Sequence, residues 1–113
     1  MTFTHEIIDE VLAIRLNGDL IGENNGPEIM ELAASALKKG VDKCLINLEE
    51  VRYINSSGIG VLITLLTKFR NQGGEVVLVN PSEHVNKLLI IIKLRNIFII
   101  AQTEEEARQK LTK

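Results

Sequence analysis

The chain has 113 residues, of which 45% are hydrophobic and 25% are charged, and its formal net charge is −2. This length and balance suit one folded domain that spans residues 1–113, with no room for a second. The weak negative charge provides no basic surface, so nucleic acid and anionic membranes are unfavourable partners. Apolar runs such as residues 88–92 are too short for a membrane span, and the N-terminus does not resemble a signal peptide. We therefore expect a cytoplasmic protein.

The first third of the chain predicts a strand hairpin followed by a helix. Two short strands are predicted at residues 3–8 and 11–16, with a turn at residues 9–10 between them. Residues 19–26 are rich in glycine and asparagine and are predicted to form a loop. Pro27 then suits the first position of a helix, because a helix start does not need its missing N–H group.

The middle of the chain places a polar turn between a strand and a helix. A buried strand is predicted at residues 44–48, and a helix is predicted at about residues 57–71. The segment 55–58, Asn-Ser-Ser-Gly, stands at their junction and presents hydroxyl groups beside the free N–H groups of a helix start. These residues alone are compatible with a plain helix cap or with a binding or regulatory site.

The last third of the chain predicts a strand and a helix, twice in succession. A strand is predicted at residues 75–79, followed by a helix at residues 81–91 with Asn80 as its cap. A final strand is predicted at residues 97–100, and a terminal helix is expected to begin after a cap at Thr103.

The predicted order β-β-α-β-α-β-α-β-α indicates an α/β fold with a mostly parallel central sheet. Repeated β-α-β units require parallel strands joined by right-handed crossovers, and the helices pack against the sheet. The first strand is expected to form an antiparallel edge. Sites in such sheets form where strands end and helices begin, so the segment 55–58, the loop 19–26 and the turn at Asn80 could converge.

Enzymatic chemistry has little support in the sequence. A nucleophilic Ser56 or Ser57 would need a base, and the two histidines are His5 in an early strand and His84 in the first turn of a predicted helix. His84 could approach the same edge, but the Gly-x-Ser-x-Gly motif of a hydrolase is missing. We therefore expect a protein that is not an enzyme.

Cofactor and metal motifs are also incomplete. Gly58 and Gly60 open a helix after a strand, but Ile63 occupies the third glycine position of a dinucleotide motif, and no Walker lysine follows. The histidines and the lone Cys44 are scattered, and Cys44 is expected to be an inert buried thiol. We predict no cofactor and no metal site, with nucleotide binding at this edge as a weaker alternative.

Residues 47–62, NLEEVRYINSSGIGVL, resemble the signature of the STAS domain, the family of bacterial anti-sigma factor antagonists. The resemblance extends to residues 11–16 and 18–20, which match a strand and its Gly-acid-Leu turn, and to the helix-to-strand junction at residues 72–75. It covers nearly the whole chain and implies a single STAS domain.

The resemblance implies a phosphorylation-controlled binding switch. In that family a serine of this turn, which aligns with Ser56, is phosphorylated by a partner that is both an anti-sigma factor and a serine kinase; Ser57 is the alternative acceptor. The unphosphorylated antagonist binds this partner and frees a sigma factor. The phosphorylated form releases the partner until a phosphatase removes the phosphate. The implied partner-binding residues are Asn55, Ser56, Ser57, Gly58, Asp19, Glu23, Asn24 and Asn25.

Two residues depart from the family pattern. Asn55 stands where these antagonists usually carry aspartate, and Ile21 stands at another position that is often acidic. The turn is therefore less negative than in most members. These departures favour an alternative, which is a constitutive STAS scaffold subunit of a signalling or lipid-transport complex without a phosphorylation switch.

Overall fold

The computed structural model of the protein describes residues 2–94 and 96–112, except for the side chains of Glu23 and Asn24. Strands and helices follow one another in the predicted order. They are β1 (Thr2–Ile8), β2 (Val11–Leu20), α1 (Gly22–Lys38), β3 (Lys43–Ile54), α2 (Ser56–Asn71), β4 (Glu75–Val79), α3 (Glu83–Ile91), β5 (Ile99–Ala101) and α4 (Glu104–Leu111).

The five strands form one mixed sheet with the spatial order β1-β2-β3-β4-β5. The predicted hairpin turn at residues 9–10 joins β1 to β2, which pair antiparallel, and the other neighbouring strands pair parallel. The predicted α/β fold with an antiparallel edge strand is therefore confirmed. Because each crossover moves one strand along in the same direction, α1, α2 and α3 cover the same face of the sheet.

Hydrophobic side chains are buried on both faces of the sheet. On the first face the core includes Ile29 of α1, Phe69 of α2 and Leu89 of α3, all at most 1% exposed. On the second face α4 contributes Ala107 and Leu111 to a smaller cluster. A sheet covered on both faces explains why its central strands are nearly continuous apolar runs.

Strands β2 and β3 are longer than the predicted strands at residues 11–16 and 44–48. They remain paired as far as Leu20 and Ile54, through two register shifts, whereas β4 pairs with β3 only up to Asn47. The longer strands are stable because their apolar residues, including Leu20 and Ile54, are buried. The paired strand ends carry the polar turn beyond the end of β4.

The predicted loop at residues 19–26 and the predicted helix start at Pro27 are both wrong. Helix α1 begins at Gly22, directly after β2, and Pro27 lies inside it. No side chain of the preceding residue caps this helix. Its first N–H group, on Gly22, instead donates to the Ser57 hydroxyl at 3.0 Å, a distant contact that local sequence signals do not reveal.

The predicted helix cap at Asn80 is also wrong. Ser82 caps α3 by accepting a hydrogen bond from the Val85 N–H at 3.4 Å. The Asn80 backbone has a φ of 46° and its N–H donates to the Ala101 carbonyl, while its side chain donates to Glu49. Asn80 therefore holds the end of β4 to β5 and β3, and the helix starts later.

Strand β5 is displaced towards the C-terminus from the prediction at residues 97–100. The N–H groups of Ile97 and Phe98 donate to the Leu94 carbonyl, at 3.0 and 3.2 Å. These two residues belong to the turn after α3 and are unavailable to the sheet. Thr103 caps α4 as predicted, since its hydroxyl accepts from the first turn of that helix.

A charged network fastens α4 to the sheet. Arg15 of β2 donates two hydrogen bonds to the Glu104 carboxylate, at 2.7 and 2.8 Å, and a third to Glu6 of β1 at 3.0 Å. Asn47 of β3 donates to Glu104 at 2.8 Å. The hydrogen bond with Arg15 is the main reason that the pKa of the Glu104 carboxyl lies below its usual range.

The substitution Glu104→Gln is expected to lower the free energy of unfolding by about 1 kcal/mol at neutral pH, a value reduced for the partial exposure of Arg15. Because the folded-state pKa of Glu104 is depressed, its contribution is full above the unfolded-state pKa of about 4.3 and is lost as the pH falls through the lower folded-state value. Urea unfolding of both proteins at several pH values measures this.

The matched control is Glu105→Gln, which removes an exposed charge from the same helical turn. Both substitutions remove one carboxylate near the start of α4, so the difference between them reports the contacts with Arg15 and Asn47. Equal losses of stability for the two variants, or a loss for Glu104→Gln that persists undiminished at pH 3 or below, would contradict the prediction.

Candidate functional site

The polar turn joins the starts of two helices. Asn55 caps α2, and its side-chain oxygen accepts hydrogen bonds from the Gly58 N–H and the Ser57 hydroxyl, both at 2.8 Å. The Ser57 hydroxyl in turn accepts from the Gly22 N–H at the start of α1. Asn55 and Ser57 therefore hold the first turns of α1 and α2 beside each other.

Two glycines allow these helix starts to approach closely. A side chain on Gly22 would collide with the Ser57 carbonyl, and a side chain on Gly58 would collide with the Leu20 carbonyl at the end of β2. The Leu20 carbonyl also accepts a hydrogen bond from the Asn55 N–H at 3.3 Å. The geometry of the turn thus depends on backbone contacts between distant segments.

The two serines have different surroundings. Ser56 is the first residue of α2 and is exposed, whereas Ser57 is half-buried. Within residues 2–94 and 96–112, the Ser56 hydroxyl makes no hydrogen bond, while the Ser57 hydroxyl donates to Asn55 and accepts from Gly22. The sequence left both serines open as acceptors of a phosphate, and the structure shows that only the Ser56 hydroxyl is both exposed and uncommitted.

The other predicted partner-binding residues occupy a strand and a helix instead of a loop. Asp19 lies in β2, where its half-exposed carboxylate is 3.6 Å from the Arg52 guanidinium. Asn25 is half-buried in α1, which starts beside the polar turn. The predicted contacts of the Glu23 and Asn24 side chains lie outside the described residues.

Of the three connections that were predicted to converge, two are in contact and the turn at Asn80 lies apart from them. The start of α1 and the polar turn are in direct contact through Gly22 and Ser57. The turn at Asn80 contacts β3 at Glu49, well before the polar turn in the strand. Helix α3 reaches the site through a different residue, since the His84 ring stacks on Tyr53 with a centroid distance of 6.1 Å.

A cavity of about 490 Å³ lies between the start of α2 and α3, and sequence reasoning missed it. We call it the α2–α3 groove. The spacing of Leu88 and Ile92, one helical turn apart, was a local signal for an apolar stripe on α3. The residues that form most of the groove are Tyr53, Ser56, Ile59, His84, Leu88 and Ile92.

The remaining reactive residues do not form a second site. Cys44 is fully buried in β3, and burial raises the pKa of its thiol, which keeps it protonated as predicted for an inert thiol. His5 lies in β1, whereas His84 borders the same groove as Ser56. Among the described residues, no three histidine, cysteine or acidic side chains form a group that could hold a metal ion.

No helix in the described part of the chain has the length and apolar character needed to cross a membrane.

Comparison with known proteins assigns the fold and the family. The STAS domain model matches residues 2–107. A candidate anti-sigma factor antagonist of Thermotoga maritima is 30% identical over 109 residues, which is 96% of each chain. A crystal structure of such a protein from T. maritima has a TM-score of 0.88 and 29% identity, covering 98% of this chain and 95% of that one. The Bacillus cell fate determinant SpoIIAA in its phosphorylated form has a TM-score of 0.78 and 26% identity, covering 96% of this chain and 98% of that one. This chain therefore belongs to the STAS domain family.

Proposed function

We propose that the protein is an anti-sigma factor antagonist that acts in the cytoplasm as a binding switch controlled by phosphorylation of Ser56. In its unphosphorylated form it binds an anti-sigma factor that is also a serine kinase, and a sigma factor is freed. Phosphorylation ends this binding until a phosphatase removes the phosphate. The protein is a binding partner and not an enzyme in this scheme.

The exposed, uncommitted hydroxyl of Ser56 is the observation that carries the proposal. A phosphate on Ser56 would lie at the start of α2, where the positive end of the helix dipole stabilises negative charge. The first turn of α2 contains no acidic residue that would repel the phosphate. The phosphate would add about −1.5 to −2 charges at neutral pH, so the fold can persist while the docking surface changes its charge.

Ser57 is a less suitable phosphate acceptor for a structural reason. Its hydroxyl is shared between Asn55 and the Gly22 N–H, and a phosphate there would disrupt both hydrogen bonds. The loss would separate the first turns of α1 and α2. Phosphorylation of Ser57 would therefore disturb the fold, whereas phosphorylation of Ser56 would change the surface.

The neutral Asn55 preserves the geometry that an aspartate would provide at this position. Its side-chain oxygen accepts from the Gly58 N–H in the way that an aspartate carboxylate caps a helix. Replacement of the family's usual aspartate therefore changes the charge of the turn and leaves its cap intact. The existence of SpoIIAA in a phosphorylated form supports a switch in a related protein of the same fold.

Phosphate mapping tests the proposed switch. We expect incubation with ATP and the anti-sigma kinases of the same genome to add one phosphate, located by intact mass and peptide mapping on Ser56. The variant Ser56→Ala should accept none, while Ser35→Ala, which alters an exposed serine on α1, should behave as wild type. Absence of phosphate on the wild type, or equal phosphate on Ser56→Ala, would refute the assignment.

The neutral residues Asn55 and Ile21 favour a second candidate function. A constitutive scaffold subunit of a signalling or lipid-transport complex would need no negative charge around the turn for recognition by a kinase. Ile21 precedes α1 without capping it through its side chain, so it provides no anionic group beside the site. The two candidates differ in whether negative charge at Ser56 weakens partner binding.

A further inference from the structure

The α2–α3 groove has the size and the walls of a small-molecule site. Its volume of about 490 Å³ lies within the roughly 300–1,000 Å³ range of ligand pockets. Ile59 of α2 forms one wall. Leu88 of α3 and Ile92, which directly follows α3, form the other. Ile92 remains 39% exposed, so a ligand that covers this wall would remove apolar surface from water.

The polar groups of the groove favour a negatively charged head group. Ser56 supplies an uncommitted hydroxyl and the first N–H of α2, and His84 supplies an imidazole from the start of α3. None of the described residues that line the groove is acidic. The acid next to His84 in the chain, Glu83, forms an exposed ion pair with Lys87 at 3.1 Å. A carboxylate ligand would therefore meet hydrogen-bond donors and the positive end of a helix, with no acidic side chain among the described lining residues.

We propose that the α2–α3 groove binds a small amphiphilic anion, such as a free medium-chain carboxylate. The apolar chain lies along Ile59, Leu88 and Ile92, and the carboxylate accepts hydrogen bonds at the start of α2 beside Ser56 and His84. Binding at this place covers the Ser56 hydroxyl. A second consequence, which rests on the proposed function, is that the ligand slows phosphorylation of Ser56 by the kinase.

Octanoate titration of the isotope-labelled full chain, followed by NMR of backbone amides, tests the binding site. We expect saturable shifts concentrated in residues 53–59 and 84–92. The variant Ile92→Glu places a carboxylate in the groove and should weaken binding at least about tenfold. The matched control is Ile91→Glu, because Ile91 is 74% exposed and does not line the groove, and its affinity should stay within about twofold of wild type.

The anionic head group is tested with 1-octanol, which has the same chain and no charge and should bind at least about tenfold more weakly than octanoate. Absence of saturable shifts at millimolar octanoate, equal losses in both isoleucine variants, or equal affinity for 1-octanol would overturn the proposal. So would sedimentation as a dimer that octanoate dissociates, because the groove would then belong to a second copy of the chain.

These measurements contain no kinase, so octanoate binding stands or falls independently of phosphorylation. The regulatory consequence is tested separately by the rate of Ser56 phosphorylation with and without saturating octanoate. We expect octanoate to slow phosphorylation of Ser56 in the wild type and to leave the rate in Ile92→Glu unchanged. An unchanged rate in the presence of bound octanoate would overturn the regulatory part.

Discussion

The substitution Gly58→Ala is expected to destabilise the protein by about 2 kcal/mol, although alanine normally strengthens a helix relative to glycine. The added Cβ would press against the Leu20 carbonyl and lie 2.8 Å from a side-chain carbon of Ile54. Leu20 and Ile54 are paired in the sheet, so neither backbone can move aside without loss of the strand pairing. The start of α2 must shift instead, which weakens the cap provided by Asn55.

Gly60→Ala is the matched control, because Gly60 lies in the same helix and a Cβ there would meet no atom within 4 Å. This change should stabilise the protein by roughly 0.5–1 kcal/mol, because alanine lowers the conformational entropy of the unfolded chain and has a higher helix propensity than glycine. Urea unfolding of the two variants and the wild type measures both effects. A loss of stability for Gly60→Ala, or a gain for Gly58→Ala, would show that the described approach of α2 to β2 is wrong.

The substitution Ser56→Asp is expected to weaken binding of the anti-sigma kinase about 100-fold, or about 2.7 kcal/mol, while the free energy of unfolding changes little. The added carboxylate carries one negative charge and so reproduces part of the charge of a phosphoserine. Its position at the first residue of α2 is one where a carboxylate stabilises a helix, so the fold is preserved. Calorimetric titration with the kinase and urea unfolding measure the two quantities separately.

Ser35→Asp provides the corresponding control on another surface. Ser35 is an exposed serine in α1, about 20 Å along that helix from its start beside Ser57. The same substitution there adds the same charge and should leave partner binding unchanged. If Ser56→Asp also binds with the affinity of wild type, the switch is excluded and the constitutive scaffold becomes the better description.

Local signals were sufficient for the order of the elements and for the centre of the site. The polar segment with Asn55 and Ser56 predicted the junction between β3 and α2, because a cap residue and exposed hydroxyl groups mark a helix start within a few residues. Thr103 marked the start of α4 in the same way. These features depend on neighbours in the chain, so one sequence can reveal them.

The errors arose where distant contacts decide the structure. Pro27 is a favourable first helical residue, yet α1 begins at Gly22, where its N–H meets the distant Ser57 hydroxyl. The strand predicted at residues 44–48 continues to Ile54 because β2 continues beside it. The α2–α3 groove was missed for the same reason, since its two walls come from helices that the chain order alone does not place face to face.

The hydrogen bond between Gly22 and Ser57 spans 35 positions of the sequence. A nascent chain that ends before Ser57 contains the residues of the first turn of α1 but lacks the acceptor for its leading N–H group. Closing this long loop has an entropic cost that the surrounding contacts must offset. The first turn of α1 therefore gains this contact only when Ser57 is in place, and an α1 peptide alone would not reproduce it.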